Sequence, residues 1–316
     1  MVVSSKAKGP RMNIKSSWVW KELVHYKSLY LMLLPVIAFY IIFCYGPMYG
    51  VQMAFRNFSP KLGISGSPWV GFKYFRDFFG SIYFTRLLRN TLLINLYGLL
   101  FGFPIPIIFA LLLNELRNKR YKSLVQTISY LPHFISIVVI AGIIKSFTAT
   151  EGLFSTLMYQ LVGKSKQNML MIPNYFRSIY IVSDIWQEMG WSSIIYIAAL
   201  TGINTELYEA ATMDGASRFK RILHVTLPGM IPTIMTMLVL RIGSMLSLGF
   251  EKVFLLYNEG IFETADVIST YVYRKGLIDG SYSYSTAVGL FNSVVNLVLL
   301  VGANTLSKNM TETGLW

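Results

Sequence analysis

The sequence predicts an all-α membrane protein with six transmembrane helices, and three observations support this fold class. Its 316 residues are 54% hydrophobic and 14% charged, and a mean hydropathy of +0.51 is too high for a soluble domain. Six windows each hold the roughly 20 mostly apolar residues that cross a bilayer core of about 30 Å. Basic residues flank these windows, where they would anchor helices in a bilayer. The windows are 29–55, 91–114, 124–147, 178–200, 230–250 and 284–306.

Residues 1–28 precede the first window, and we expect them to form a cytoplasmic tail. They resemble the basic start of a signal peptide, but the apolar run that follows is too long and lacks a cleavage site. Trp18 and Trp20 lie among basic residues, as in an interfacial helix, although this stretch is equally explained as the basic flank of the first span. The predicted domains are therefore the tail, 1–28, and a six-span domain, 29–316.

The distribution of lysine and arginine predicts that both termini face the cytoplasm. The short connection 115–122, ELRNKRYK, is densely basic, and so is the stretch 206–228. The longer segment 56–90 on the opposite side also carries basic residues. The predicted cytoplasmic connections therefore differ from it in the density of lysine and arginine, not in their total number. Aromatic and charged residues alternate in that segment, which predicts short helices at the outer membrane interface.

Composition argues against nucleic-acid binding and against catalysis in this chain. The formal net charge is +13, but the basic residues flank apolar segments rather than forming one patch. The three histidines are dispersed without zinc-ligand spacing, and the single cysteine, Cys44, has no obvious base. The sequence contains no phosphate-binding GxxxxGK[ST] loop. We therefore predict no catalytic residue, no metal site and no cofactor in this chain.

The stretch 206–228, ELYEAATMDGASRFKRILHVTLP, interrupts the apolar sequence with residues that favour helices. Gly215 divides it, so we predict two short helices joined by a turn. Asn204 or Thr205 can cap the first helix. Pro228 either ends the second helix or opens the fifth span, because it has no N–H to donate.

This stretch resembles the cytoplasmic signature of the permeases of binding-protein-dependent ABC importers. That signature is Glu-Ala-Ala, three residues, Gly, nine residues, an aliphatic residue, one residue and Leu-Pro. The segments WVGFKYF, RNTL and YLPHFIS also resemble the family, and the resemblance covers most of the chain from about residue 28. It implies a type I permease fold in which the region 204–228 is the coupling helix, although an ordinary amphipathic loop helix is the alternative. The coupling residues are Glu209, Ala210, Ala211, Asp214, Gly215, Leu227 and Pro228, with Val225 where Ile is commoner.

The resemblance also implies partners. A second, non-identical permease would complete the path in the bacterial cytoplasmic membrane, and two ATPase subunits would bind ATP and magnesium. An extracytoplasmic binding protein would deliver an oligosaccharide, because the sequence is most similar to carbohydrate permeases such as those of the maltose and alginate importers. The alternatives are a permease for another solute and an ion-coupled secondary transporter, which predicts inverted repeats. An intramembrane enzyme would need a nucleophile and base that are not visible.

Polar residues inside the windows are the candidates for the substrate path. Asp184, Gln187, Glu188 and Trp191 are spaced to share one broad helical face. Carboxylates in a bilayer should face a water-filled cavity or a partner. Aromatic rings and hydrogen-bonding groups suit sugars, although the same residues could join helices. Arg241 in the fifth window could neutralise an acidic partner or meet an acidic substrate, and packing between helices is the alternative. The candidates are Asp184, Trp186, Gln187, Glu188, Trp191, Asn95, Tyr97, Asn292 and Asn296.

Overall fold

The computed structural model describes residues 25–163, 165–246 and 249–311. Residue contacts divide the chain after Gln52 into two compact units. Most of the predicted tail, with the possible interfacial helix at Trp18 and Trp20, lies outside the described residues. The predicted domain boundary at residue 28 therefore stays a prediction.

The first unit contains one apolar helical segment. It begins with helix α1 (Lys27–Phe39), which contains Pro35, and continues through a π-helical turn (Tyr40–Tyr45) into helix α2 (Gly46–Met48). None of their side chains is buried. With the 3-10 helix that follows, the segment Lys27–Phe55 is long and apolar enough to cross a membrane, as the first window predicts.

The second unit consists of helices joined by short turns. Its α-helices are α3 (Gly63–Gly66), α4 (Lys73–Phe79), α5 (Phe84–Tyr97), α6 (Pro104–Glu115), α7 (Lys119–Tyr130), α8 (Ile137–Thr148), α9 (Leu153–Val162), α10 (Pro173–Thr201), α11 (Thr205–Met213), α12 (Arg218–Arg221), α13 (Leu227–Gly243), α14 (Phe250–Leu256), α15 (Phe262–Ala265), α16 (Ile268–Tyr273) and α17 (Tyr282–Thr311). Short 3-10 helices lie at Leu131–Phe134, Met169–Met171 and Glu259–Ile261, and π-helical turns lie at Gly98–Gly102, Ile222–Thr226 and Arg274–Ile278. The short helices α3 and α4 agree with the prediction for the segment 56–90.

Five described helical segments are long and apolar enough to cross a membrane. They are Lys27–Phe55, Phe84–Glu115, Ile137–Val162, Arg218–Gly243 and Tyr282–Asn309. The fourth predicted window lies within α10, a helix of 29 residues that is not among these five. Its charged residues Asp184 and Glu188 lower its hydropathy, so the count of six spans stays a prediction.

The prediction of one helix over 124–147 is wrong. Helix α7 ends at Tyr130, a 3-10 helix follows, and α8 begins only at Ile137. Pro132 has no N–H with which to continue an α-helical ladder. The Ser136 hydroxyl oxygen accepts a hydrogen bond from the Val138 backbone N–H at 3.3 Å and so caps α8. Because apolarity continues through this stretch, hydropathy alone does not reveal the break.

Helix α10 packs against several neighbours in the second unit, including α5, α6, α7 and α13. Its residues Phe176, Tyr180 and Ile181 join a buried cluster with Ile94 of α5. Gly190 allows α10 to approach α7 closely, because a Cβ atom at this position would clash with the backbone of Ser129. These contacts place α10 beside α5, α6 and α13.

A buried charged cluster connects α5 and α10 to Asp266, which lies between α15 and α16. The carboxylate of Asp266 is fully buried and accepts from Arg86 Nη2 at 3.0 Å and from Arg274 Nη2 at 2.7 Å. Asn90 of α5 donates to the Asp266 backbone carbonyl at 3.0 Å and accepts from Arg177 Nη2 of α10 at 2.8 Å. The cluster therefore fixes the separation of α5 and α10 just beyond the cavity described below.

Candidate functional site

A cavity of about 970 Å³ is lined by residues of α5, α6, α10 and α13, and of the π-helical turn after α5. Two glycines of that turn, Gly98 and Gly102, contribute backbone rather than side chains to the wall. π-Helical turns inside longer helices occur frequently at functional sites. The polar and aromatic lining residues are Asn95, Phe103, Tyr180, Asp184, Glu188, Trp191, Ser192, Tyr196, Arg241 and Ser244.

Four of the predicted path residues line this cavity: Asn95, Asp184, Glu188 and Trp191. Three of them come from successive turns of α10, as their helical spacing predicts. The Asn95 side chain donates to the Thr91 carbonyl at 2.8 Å within α5. The arrangement brings aromatic, amide and carboxylate groups to one wall.

The other five predicted path residues do not line the cavity. Trp186 is exposed elsewhere on α10, and Gln187 is buried. Tyr97 packs against the buried cluster that contains Ile94. Asn296 on α17 accepts from the Leu246 backbone N–H at 2.8 Å, and Asn292 lies one turn away on the same helix. Asn296 thus holds the chain that follows α13, which is a packing contact.

Asp184 is paired with a lysine that is distant in sequence. Lys252 Nζ of α14 lies 3.2 Å from Asp184 Oδ1 and 5.0 Å from the centroid of the Tyr180 ring. Burial lowers the pKa of Lys252, and the charge of the Asp184 carboxylate acts in the opposite direction. The sequence predicts a partner or a cavity for this carboxylate, and the structure provides both. The identity of the partner has no local signal, since 68 residues separate the two.

Glu188 and Trp191 are both held by His133. His133 Nδ1 lies 2.9 Å from Glu188 Oε2. The imidazole also stacks on the Trp191 ring at a centroid distance of 4.4 Å and an interplanar angle of 3°. His133 lies in the 3-10 helix Leu131–Phe134, so the break at Pro132 is what positions it beside α10. The stretch YLPHFIS therefore supports the wall that α10 presents to the cavity.

The stretch 204–228 forms the two short helices and the turn that its sequence predicts. Asn204, rather than Thr205, caps α11, because its Oδ1 accepts from the Glu206 N–H at 3.0 Å. Gly215 follows the helix with φ +73°. Its N–H donates to the Thr212 carbonyl at 3.1 Å, and the Ala216 N–H donates to the Ala211 carbonyl at 2.9 Å. This pair of bonds is a Schellman motif, which requires a left-handed residue at the glycine position.

Side-chain hydrogen bonds brace the helix pair. Tyr208 Oη donates to Thr226 Oγ1 at 3.1 Å, and Arg221 Nη1 donates to Thr212 Oγ1 at 2.8 Å. Thr226 directly precedes α13, which begins at Leu227 with Pro228 in its first turn. The structure thus resolves the two alternatives for Pro228, which opens the long helix.

The outer surface of the helix pair is exposed. Among the predicted coupling residues, Glu209, Ala210, Asp214 and Gly215 are exposed, and Ala211 and Leu227 are half-buried. Two large apolar side chains on the pair are also solvent-exposed: Met213 is 88% exposed and Phe219 is 73% exposed. These two side chains are available for contact with another protein.

Comparison with known proteins identifies relatives over nearly the whole chain. A family model described as "Binding-protein-dependent transport system inner membrane component" matches residues 102–312. Protein LplB of Bacillus subtilis (strain 168) is 48% identical over 291 residues, which cover 92% of this chain and 91% of LplB. The polygalacturonan/rhamnogalacturonan transport system permease protein YteP of the same organism is 43% identical over 100% of this chain and 96% of its own length.

Solved structures match equally well. A chain of a bacterial ABC transporter involved in the import of the acidic polysaccharide alginate superposes with a TM-score of 0.85 at 46% identity, covering 93% of this chain and 99% of that one. A chain of a bacterial alginate ABC transporter, in complex with a periplasmic protein that carries an alginate pentasaccharide, gives a TM-score of 0.85 at 45% identity. That match covers 94% of this chain and 99% of the other.

Proposed function

Because this chain belongs to the family of binding-protein-dependent transport system inner membrane components, we propose that it is a permease subunit of an ATP-driven oligosaccharide importer. The cavity of about 970 Å³ forms part of the path. The observation that carries this proposal is the chemistry of its wall, where the exposed ring of Trp191 lies among the carboxylates of Asp184 and Glu188 and the amide of Asn95. Aromatic faces stack on sugar rings, and polar side chains bind sugar hydroxyls.

The relatives support a carbohydrate rather than another solute. YteP is named for polygalacturonan and rhamnogalacturonan transport, and the matched structures are of alginate importers. Cavity residues held rigidly by neighbours suit selective binding of such a substrate, because little side-chain entropy is then lost. Trp191 beneath His133 is one such residue.

Partner chains complete the importer in this proposal. A second, non-identical permease closes the path on the side that this chain leaves open, and an extracytoplasmic binding protein delivers the oligosaccharide. Both termini face the cytoplasm of the bacterium. Delivery by a binding protein is supported by the structural relative, whose complex includes a periplasmic protein with a bound alginate pentasaccharide.

The helix pair α11–α12 couples the permease to two ATPase subunits, which bind ATP and magnesium. Its exposed face, with Glu209, Ala210 and Met213, docks into a groove on the ATPase. The Tyr208–Thr226 hydrogen bond transmits displacement of α11 to the start of α13. Helix α13 has 17 residues and spans about 25 Å at 1.5 Å per residue. Its far end lines the cavity at Leu240 and Arg241, so ATPase closure changes the cavity wall.

Reconstitution tests this function. The chain, its partner permease and the ATPase subunits are placed in proteoliposomes with binding protein outside and ATP inside. We expect oligosaccharide uptake that requires ATP hydrolysis and survives an ionophore that collapses ion gradients. The purified chain alone should hydrolyse no ATP, because its sequence contains no phosphate-binding loop. Uptake that needs no ATP and stops with the ionophore would instead indicate an ion-coupled transporter.

A further inference from the structure

The three charged residues that line the cavity differ in the partners that their side chains contact. They are Asp184, Glu188 and Arg241. Asp184 is paired with Lys252 at 3.2 Å, and Glu188 lies 2.9 Å from a nitrogen of His133. The Arg241 guanidinium makes no ion pair and no hydrogen bond within the described parts of the chain. Asp184 therefore has a cationic partner and Glu188 has a hydrogen-bonding partner, whereas Arg241 has neither.

Three arginines of the second unit bind buried side chains. Arg86 and Arg274 both bind the Asp266 carboxylate, and Arg177 donates to Asn90. An unpaired charge inside a membrane segment is costly, and such charges are found where a bound ligand or a translocated group meets them. Arg241 differs from these three arginines because it has no such partner among the described residues.

The wall opposite Arg241 leaves room for its guanidinium. A Cβ atom at Gly98 would lie 3.1 Å from Arg241 Nη2, which is tighter than ordinary contact. The glycine lets the guanidinium lie close to the π-helical turn. A Cβ atom at position 98 would require the guanidinium or the turn to move by a few tenths of an ångström.

We propose that Arg241 binds a carboxylate of the translocated sugar, so that the substrate is an acidic oligosaccharide. This rests on the proposed function above and adds the substrate class and the residue that selects it. The planar guanidinium matches a carboxylate with two parallel hydrogen bonds. Because Lys252 pairs with Asp184, a substrate carboxylate that binds Arg241 meets less repulsion from the carboxylates of the cavity itself.

The test compares two sugars that differ only in charge. Uptake of trigalacturonate and of its methyl ester is measured with the complete importer in proteoliposomes, for wild type, Arg241→Gln, Arg241→Lys and Gly98→Ala. The same binding protein delivers both sugars to every complex, so its own selectivity cancels when acid-to-ester uptake ratios are compared between variants. Arg117→Gln, which removes an exposed arginine outside the cavity, is the matched control.

We expect Arg241→Gln to lower the acid-to-ester ratio by about 10- to 100-fold, the effect of losing a charge-assisted pair. Arg241→Lys should give a smaller decrease, because it keeps the charge but loses the planar fork. Gly98→Ala should also lower the ratio, and Arg117→Gln should not. If the importer with Arg241→Gln does not assemble, the acid-to-ester ratios of Arg241→Lys and Gly98→Ala test the inference instead.

Two results would overturn the inference. One is an equal loss of acid and ester uptake in the cavity variants, which would make Arg241 a structural residue. The other is a wild-type importer that takes up only the ester. Failure of the wild type to take up either sugar with ATP would instead contradict the proposed function itself, so the two failures are distinguishable.

Discussion

Arg274 donates from one terminal nitrogen to both carboxylate oxygens of Asp266, at 2.7 Å each. Arg86 also forms an ion pair with Asp266, and the Asp266 side chain has no exposed surface. Asn90, which bonds the backbone of Asp266, lies one turn before Ile94 in the cavity wall. The pair therefore holds together the end of the bundle next to the cavity.

Asp266→Ala should destabilise the protein strongly. It leaves two arginines without their shared counter-ion, and breaking a buried pair in this way costs about 3 to 5 kcal/mol. Thermal unfolding of the detergent-purified chain measures the loss. Asp279→Ala is the matched control, because the Lys275–Asp279 pair is at the surface and contributes about 1 kcal/mol or less. Equal effects of the two substitutions would contradict the structural role of Asp266.

Asp184→Asn should make stability more dependent on pH. Burial already lowers the pKa of Lys252 from its ordinary value of 10.5, and removing the carboxylate removes the opposing effect. A lysine with a lower pKa in the folded state binds fewer protons there than when unfolded, so the free energy of unfolding rises with pH between the two pKa values.

Unfolding temperatures measured from neutral to alkaline pH test this expectation. The variant should be less stable than wild type at neutral pH, and the difference should shrink as the pH rises toward the ordinary lysine pKa. A difference that stays constant across this range would show that Lys252 does not depend on Asp184 for its charge.

Trp191→Ala should impair oligosaccharide uptake while the importer still assembles, because the ring lines the cavity. Trp186→Ala on the same helix is the matched control. The two rings are almost equally exposed, at 42% for Trp191 and 43% for Trp186, but only Trp191 lines the cavity. Uptake per assembled complex should fall about tenfold or more for Trp191→Ala, in line with the loss of one aromatic stacking contact and the ring's packing. Glu188→Gln should also reduce uptake. Similar uptake in Trp186→Ala and Trp191→Ala would indicate that both rings only pack.

Local features of the fold could be predicted from the sequence. The turn at Gly215 follows from one glycine between two helix-favouring stretches, and the structure places it at positive φ. The common face of Asp184, Glu188 and Trp191 follows from helical spacing alone. In both cases the signal lies within a few residues, where backbone geometry determines the outcome.

Long-range features could not be predicted. The partners Lys252 and His133 lie 68 and 55 residues from the carboxylates they meet, and no periodicity connects them. The break at Pro132 could not be predicted, because a proline inside an apolar run is tolerated in membrane helices and does not by itself end one. Four other candidates have residue types suited to a polar path, namely Gln187, Tyr97, Asn292 and Asn296. Which face of a helix lines a water-filled cavity depends on the neighbouring helices, and the sequence of one helix does not reveal it.

The coupling function of α11–α12 depends on the geometry of its turn. Gly215→Val places a β-branched residue at φ +73°, where L residues pay about 1 to 2 kcal/mol of strain. The Schellman motif should then open and misdirect α11. Ala211→Trp adds bulk to α11 at a half-buried position next to the exposed face. Neither position lines the cavity, so substrate contacts should remain unchanged.

Gly163→Val provides the matched control, because Gly163 also ends a helix at φ +70° and has open space around it. The decisive measurement is ATP hydrolysis stimulated by loaded binding protein, recorded with uptake in the same proteoliposomes. Complexes with Gly215→Val or Ala211→Trp should assemble fully but lose stimulated ATP hydrolysis and uptake. The complex with Gly163→Val should keep both activities. Wild-type stimulation and uptake in Gly215→Val and Ala211→Trp would contradict the claim that this helix pair links ATP hydrolysis to transport.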